Sequence, residues 1–243
     1  MNCLTSRTET GNLLNHHRSK PMYTQQIRIT ALILLIMTAA WVVLMAISSA
    51  PIQPDWKDMD YARWAADRGV AYMLTYINAS LLTLLVLPLF GYLYLHFGEQ
   101  YRSTALVGLL FVPVYVVLNL VSYSIQIQAV PNVAQSALEG KESLQLATQL
   151  LQILPGSLIG YLNGLAYGIL AIPSILYGRI LIKSSRPWSG GFLLANGLAC
   201  IAGVAGYLTE SQIVSQGVVL GGILFVLSLL LMVIEFGRSP KAL

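Results

Sequence analysis

Tyr115, Asn119, Ser122 and Gln126 stand on one apolar stretch at spacings of four, three and four, which puts them on a single face of an α-helix with Tyr123 beside them. Asn78, Tyr161 and Asn163 interrupt two other apolar runs. Amides and hydroxyls donate and accept hydrogen bonds; they do not titrate in the range that acid-base work needs. The residues that could do harder chemistry lie elsewhere. His16 and His17 belong to the polar N-terminal segment, His96 ends an apolar run, and Cys200 sits among Ala and Gly with no cation nearby to lower its pKa. No apolar run carries an acid, a base or a His near its centre. A nucleophile with its base, paired carboxylates or a metal-ligand set is therefore not assembled, and no catalytic residue, metal or cofactor is expected. The same absence argues against a proton- or sodium-coupled pump, because intramembrane charges mark such pathways.

The elements that carry these residues are long and apolar. Hydrophobic residues make up 56% of the chain and charged ones 10%, with a mean hydropathy of +0.68. Crossing a hydrocarbon core takes about 20 mainly apolar residues. Six stretches meet that length, at about 27–49, 72–97, 104–130, 155–182, 190–208 and 214–236. The expected fold is all-α, a polytopic transmembrane bundle of six spans over 27–236, with a polar, disordered N-terminal tail (1–26) and a short C-terminal tail (237–243). Translation starting at Met22 stays an alternative, as does a cleaved first span ending at Ala50. A retained helix fits better, since the apolar run is too long for a signal peptide.

Basic residues fix the orientation. Arg7, Arg18, Lys20, Arg28, Arg102, Arg179, Lys183, Arg186, Arg238 and Lys241 fall on one side, and only Lys57, Arg63, Arg68 and Lys141 on the other. The positive-inside rule then places both termini in the cytoplasm. The pI near 9.1 reports this asymmetry and not a nucleic-acid partner. Asp55, Asp58, Asp60 and Asp67 cluster in the first outer loop, but their spacing matches no calcium loop. That loop, with Trp56, Tyr61 and Trp64, and the third, from Pro131 to Leu151, are each expected to form a short helix at headgroup level. Cys3 and Cys200 lie too far apart in depth to pair.

Gly156, Gly160, Gly164 and Gly168 recur every four residues and predict a ridge free of side chains. Such a ridge admits a neighbouring helix, a second copy of the chain, a partner membrane protein or a lipid. Pro88, Pro113 and Pro173 each fall in the cytoplasmic half of a span, where they remove a backbone hydrogen bond and serve as kinks or hinges. At an offset of 85 residues Tyr76, Asn78, Leu85, Pro88 and Tyr92 match Tyr161, Asn163, Leu170, Pro173 and Tyr177. This is either a parallel internal repeat or coincidence among apolar helices. The amides must point into the bundle, because facing lipid they would go unsatisfied. They form either simple interhelical glue or a polar pocket in the outer half for a small amphipathic or lipid-like ligand. Asn78, Asn119, Ser122, Tyr123, Gln126, Tyr161 and Asn163 would line that pocket.

The run from Val114 to Gln126, together with Gly160-Tyr161-Leu162 and Leu194-Ala195-Asn196-Gly197-Leu198, resembles a group of uncharacterised bacterial six-span integral membrane proteins. The likeness runs from the second span to the sixth. It implies a bacterial inner-membrane location and carries over no functional residues.

Overall fold

The computed structural model describes residues 21–238, apart from 68, 155 and 210. Every regular element among the described residues is helical. Helix α1 spans Pro21–Ser49, α2 Asp58–Ala66 and α3 Val70–Ser124. A π-helical turn, Ile125–Ala129, leads into α4 (Val130–Leu138), followed by α5 (Leu144–Leu150) and α6 (Leu158–Lys183). Helices α7 (Pro187–Leu208), α8 (Gln212–Ser215) and α9 (Gly217–Glu235) complete the chain. Residues 1–20 and 239–243, most of the two predicted tails, lie outside the described residues. Helix α1 begins earlier than the predicted start at 27, on Pro21, a residue whose fixed φ suits a first helical turn.

Among the described residues, five helices are long and apolar enough to cross a membrane: Tyr23–Ser49, Val70–Leu138, Leu158–Lys183, Pro187–Leu208 and Ile213–Glu235. The second is unusual. A straight helix of 55 residues would run about 80 Å, yet the Tyr72 hydroxyl donates to Gln126 Oε1 at 3.1 Å. The rings of Tyr76 and Tyr123 lie 6.0 Å apart. Helix α3 therefore folds back on itself, and the residue inside it with non-helical angles is Tyr101 (φ −128°, ψ 37°). Its two arms, 70–100 and 102–124, run antiparallel. Pro88 and Pro113 lie inside the arms and Pro173 inside α6, with no break in helical assignment at any of them.

Helices α1, α3, α6, α7 and α9 close into a ring, each touching the next. Ile27 and Leu34 of α1, Leu89, Phe90 and Leu93 of the first arm, Val112 and Tyr115 of the second, Leu170, Tyr177 and Leu181 of α6, Leu193 of α7 and Met232 of α9 share one buried cluster. Helices α6 and α7 approach each other backbone to backbone. A Cβ on Gly178 would sit 2.8 Å from the Gly190 carbonyl oxygen, and one on Gly190 2.6 Å from that of Gly178. Of the predicted ridge, Gly164 and Gly168 face α7, where a Cβ would meet the Tyr207 ring at 2.4 Å and Val204 at 2.6 Å. Gly160 instead abuts its own N-cap Ser157 and the loop before it. Gly156 precedes the helix, in a turn with φ +76° that favours glycine.

Helices α2, α4 and α5 pack together at one end of the ring, on the small core of Ala65, Val130, Ala134 and Leu151. Helix α2 starts after Lys57, whose N–H donates to Asp60 Oδ2 at 3.1 Å, and Asp58 and Asp60 place negative charge in its first turn.

Candidate functional site

The polar residues gather toward the α2–α5 end of the ring, in the seam between the α3 arms and α6. Asn119 and Gln126 are fully buried. Gln126 lies in the π-helical turn, which re-aims it by the extra residue in that turn. Its Oε1 accepts from the Tyr72 hydroxyl and from Gln152 N–H at 3.2 Å, and its Nε2 donates to Leu150 O at 2.7 Å. Gln126 thus ties the first arm and the α5–α6 connection to the second arm, with both lone pairs of its Oε1 taken by protein donors. Ser122 donates to Leu118 O of its own helix at 2.9 Å. Ser122 keeps the acceptor lone pairs of its hydroxyl, and Gln126 keeps one N–H, for a further partner.

The asparagines differ. Asn119 Nδ2 donates to Tyr115 O at 3.2 Å, which leaves Oδ1 buried without a partner, and the Oδ1 atoms of Asn78 and Asn163 are likewise buried and unpartnered. A buried polar atom left unsatisfied costs about 1–3 kcal/mol. The register of the helices brings all three to one depth. Tyr115 and Tyr167 pack with ring centroids 5.8 Å apart, and further along the same antiparallel pair the Tyr177 hydroxyl donates to Ala105 O at 2.8 Å. One turn from Tyr115 toward the α2–α5 end is Asn119, and one turn from Tyr167 toward that end is Asn163. In the other pair, the Tyr72–Gln126 and Tyr76–Tyr123 contacts set Asn78 opposite Leu120 and Val121. Its Cα is then within about 3 Å of Asn119 in depth.

Tyrosines frame this belt. Tyr167 interacts through its hydroxyl with Tyr115 and Tyr123, and Tyr115 with Thr83. The sequence signal for Tyr167 was its place one turn beyond Asn163, the same i+4 step that links Tyr115 to Asn119. Tyr161 stands apart: it is exposed on α6, edge-on to Tyr207 at 6.4 Å. The matched pairs of the suspected repeat also differ in setting, since Tyr76 and Tyr177 are buried while Tyr161 is exposed and Tyr92 half-buried.

The opposite end holds a cluster that the sequence reading passed over. Arg186, in the α6–α7 turn, lays its guanidinium 4.0 Å from the ring centre of Phe236 and 5.7 Å from that of Phe97. His96 stands edge-on to both rings, at 5.6 Å and 4.6 Å. Burial pulls the Arg186 pKa down and nearby Glu235 pushes it back up. Glu235 accepts from both the backbone N–H and the hydroxyl of the buried Ser189. The cluster fastens the end of α9 to the α6–α7 turn, and Ser185 in that turn adopts a left-handed φ of 61°. The signal was the break in the apolar pattern at Lys183-Ser184-Ser185-Arg186, opposite a span that ends in Glu235.

Among the described residues, no three His, Cys, Asp or Glu side chains come together. No protein-family model, curated protein or solved structure matches the chain.

Proposed function

We propose that this protein is a six-span α-helical protein of a bacterial inner membrane, with both termini cytoplasmic, that binds a small amphipathic or lipid-like ligand in the outer half of the bundle. The two antiparallel arms of α3 count as two spans in this reading. The outward faces of the long helices support a lipid setting: Ile36, Val43, Leu110, Val117, Leu198, Ile223 and Leu230 are all exposed. The uneven distribution of Lys and Arg supports the orientation.

The observation that carries the ligand is the belt of three asparagine carbonyls, buried at one depth and without protein partners. Glue would pair these groups with one another. A ligand that donates hydrogen bonds would satisfy them, with the Tyr123 and Tyr167 hydroxyls beside it. Passage of the ligand through the membrane would draw on Pro88, Pro113 and Pro173, which free backbone carbonyls inside the spans. The Gly164–Gly168 face is covered by α7, so a partner subunit would have to dock elsewhere.

Native mass spectrometry of protein gently extracted from its own membrane tests the reading. A retained small molecule that vanishes in Asn119→Leu/Asn163→Leu protein is the expected result. The same mass on wild-type and variant, or a bare chain in both, would overturn it.

A further inference from the structure

Further into the ring, about two turns past Tyr167, α6 and its neighbour α7 each bury one more polar side chain. Ser174 is 0% and Asn196 1% exposed. Among the described residues, neither the Ser174 hydroxyl nor Asn196 Oδ1 has a hydrogen-bond partner. Gly197 sets their level. A Cβ there would meet Ile175 Cγ1 at 2.6 Å and the Ala171 carbonyl oxygen at 2.7 Å, so Ser174 and Asn196 flank one contact between the antiparallel helices. Ser174 lies about two and a half turns from exposed Lys183, on the opposite side of α6 and hence toward the ring interior. Asn196 faces inward too, against Gly221 of α9 and beside buried Cys200.

The chemistry of the two orphans is defined. A helical Ser or Thr can turn its hydroxyl to the carbonyl four residues back, as Thr38, Ser80 and Ser122 do here at 2.7, 2.8 and 2.9 Å. Ser174 does not, and its hydrogen is left over. Asn196 Nδ2 donates to Gly221 O at 2.9 Å. Flipping that amide would set oxygen against oxygen, so the unpaired atom is the acceptor Oδ1. Leaving either group empty costs about 1–3 kcal/mol. A carboxylate or phosphate would face the Asn196 carbonyl. An ammonium would bring a charge to a level where neither helix carries an acid. A hydroxyl both accepts and donates one hydrogen. We propose that Ser174 and Asn196 form a binding site for one hydroxyl group, which accepts from Ser174 Oγ–H and donates to Asn196 Oδ1. The site lies about 16 Å from Asn163 along α6 and does not depend on the asparagine belt. The hydroxyl belongs to a water or to a ligand that extends inward from the belt, and the experiment separates the two.

The test is a crystal structure of the full-length protein in lipidic cubic phase, at a resolution that shows single waters. Density is expected within about 3 Å of both Ser174 Oγ and Asn196 Oδ1. It should be lost in Ser174→Ala, a change small enough to leave the packing of α6 in place. An isolated water-sized sphere assigns the hydroxyl to a buried water, and density continuous with a molecule at the belt assigns it to that ligand. Empty space between the two side chains, a Ser174 hydroxyl turned to Leu170 O, or a direct bond from Ser174 to Asn196 in the wild-type protein would overturn the proposal. Density that survives Ser174→Ala unchanged would overturn it as well.

Discussion

At the residue scale, asparagine and glutamine play opposite parts in this bundle although the sequence sets them on one helical face. Gln126 is a fastener. Replacing it with Leu removes one hydrogen-bond partner from each of the Tyr72 hydroxyl, Gln152 N–H and Leu150 O, so Gln126→Leu should destabilise by about 2–4 kcal/mol. Denaturation in detergent would register the loss as a lower midpoint. Asn119 has an acceptor with nothing to accept from, and Asn119→Leu removes that burden. Unliganded Asn119→Leu protein should therefore be at least as stable as wild-type, which the same denaturation series measures. The one-face spacing was legible from the chain. That Gln126 would be tied to three partners was not, because those partners lie 24 to 54 residues away and depend on a π-helical turn without a plain sequence signature.

At the element scale, glycine spacing alone could not tell a packing position from a turn. The four-residue repeat reads as one ridge, yet it divides where α6 begins. Gly164→Ile would drive side-chain atoms into the space of the Tyr207 ring and should cost about 1–3 kcal/mol. Gly156→Ala meets open space, so its cost comes only from a left-handed backbone, about 1–2 kcal/mol. The two are separable by adding a compensating Tyr207→Ala, which should rescue the first variant and not the second in thermal unfolding. Helix α3 teaches the same lesson from the other direction. Hydropathy suggests two spans with a gap near 98–103, where Glu99 and Arg102 interrupt the apolar run. The reversal itself is confined to Tyr101, so helical assignment continues through it. The short helices α2, α4 and α5 were legible in outline from loop aromatics and leucines, while their packing into a separate small core was not, since it joins residues such as Ala65 and Leu151 that are distant in sequence.

At the scale of the whole molecule, a ring of apolar helices encloses a seam that is polar toward one end and closed by Arg186, Phe236 and His96 at the other. The proposed topology predicts which sites reagents reach. In a Cys3→Ser background, Lys57→Cys should react with a membrane-impermeant maleimide on intact cells, and Arg102→Cys only after permeabilisation; labelling of both from one side would contradict the six-span arrangement. The seam makes the sharper claim. A cryo-electron microscopy map of the protein in native lipid, at a resolution that distinguishes a water from a larger molecule, tests it most directly. Continuous density larger than a water is expected within about 3 Å of at least two of the Asn78, Asn119 and Asn163 carbonyl oxygens, at hydrogen-bond distance. Carbonyls paired with one another, or met only by isolated waters, would contradict it.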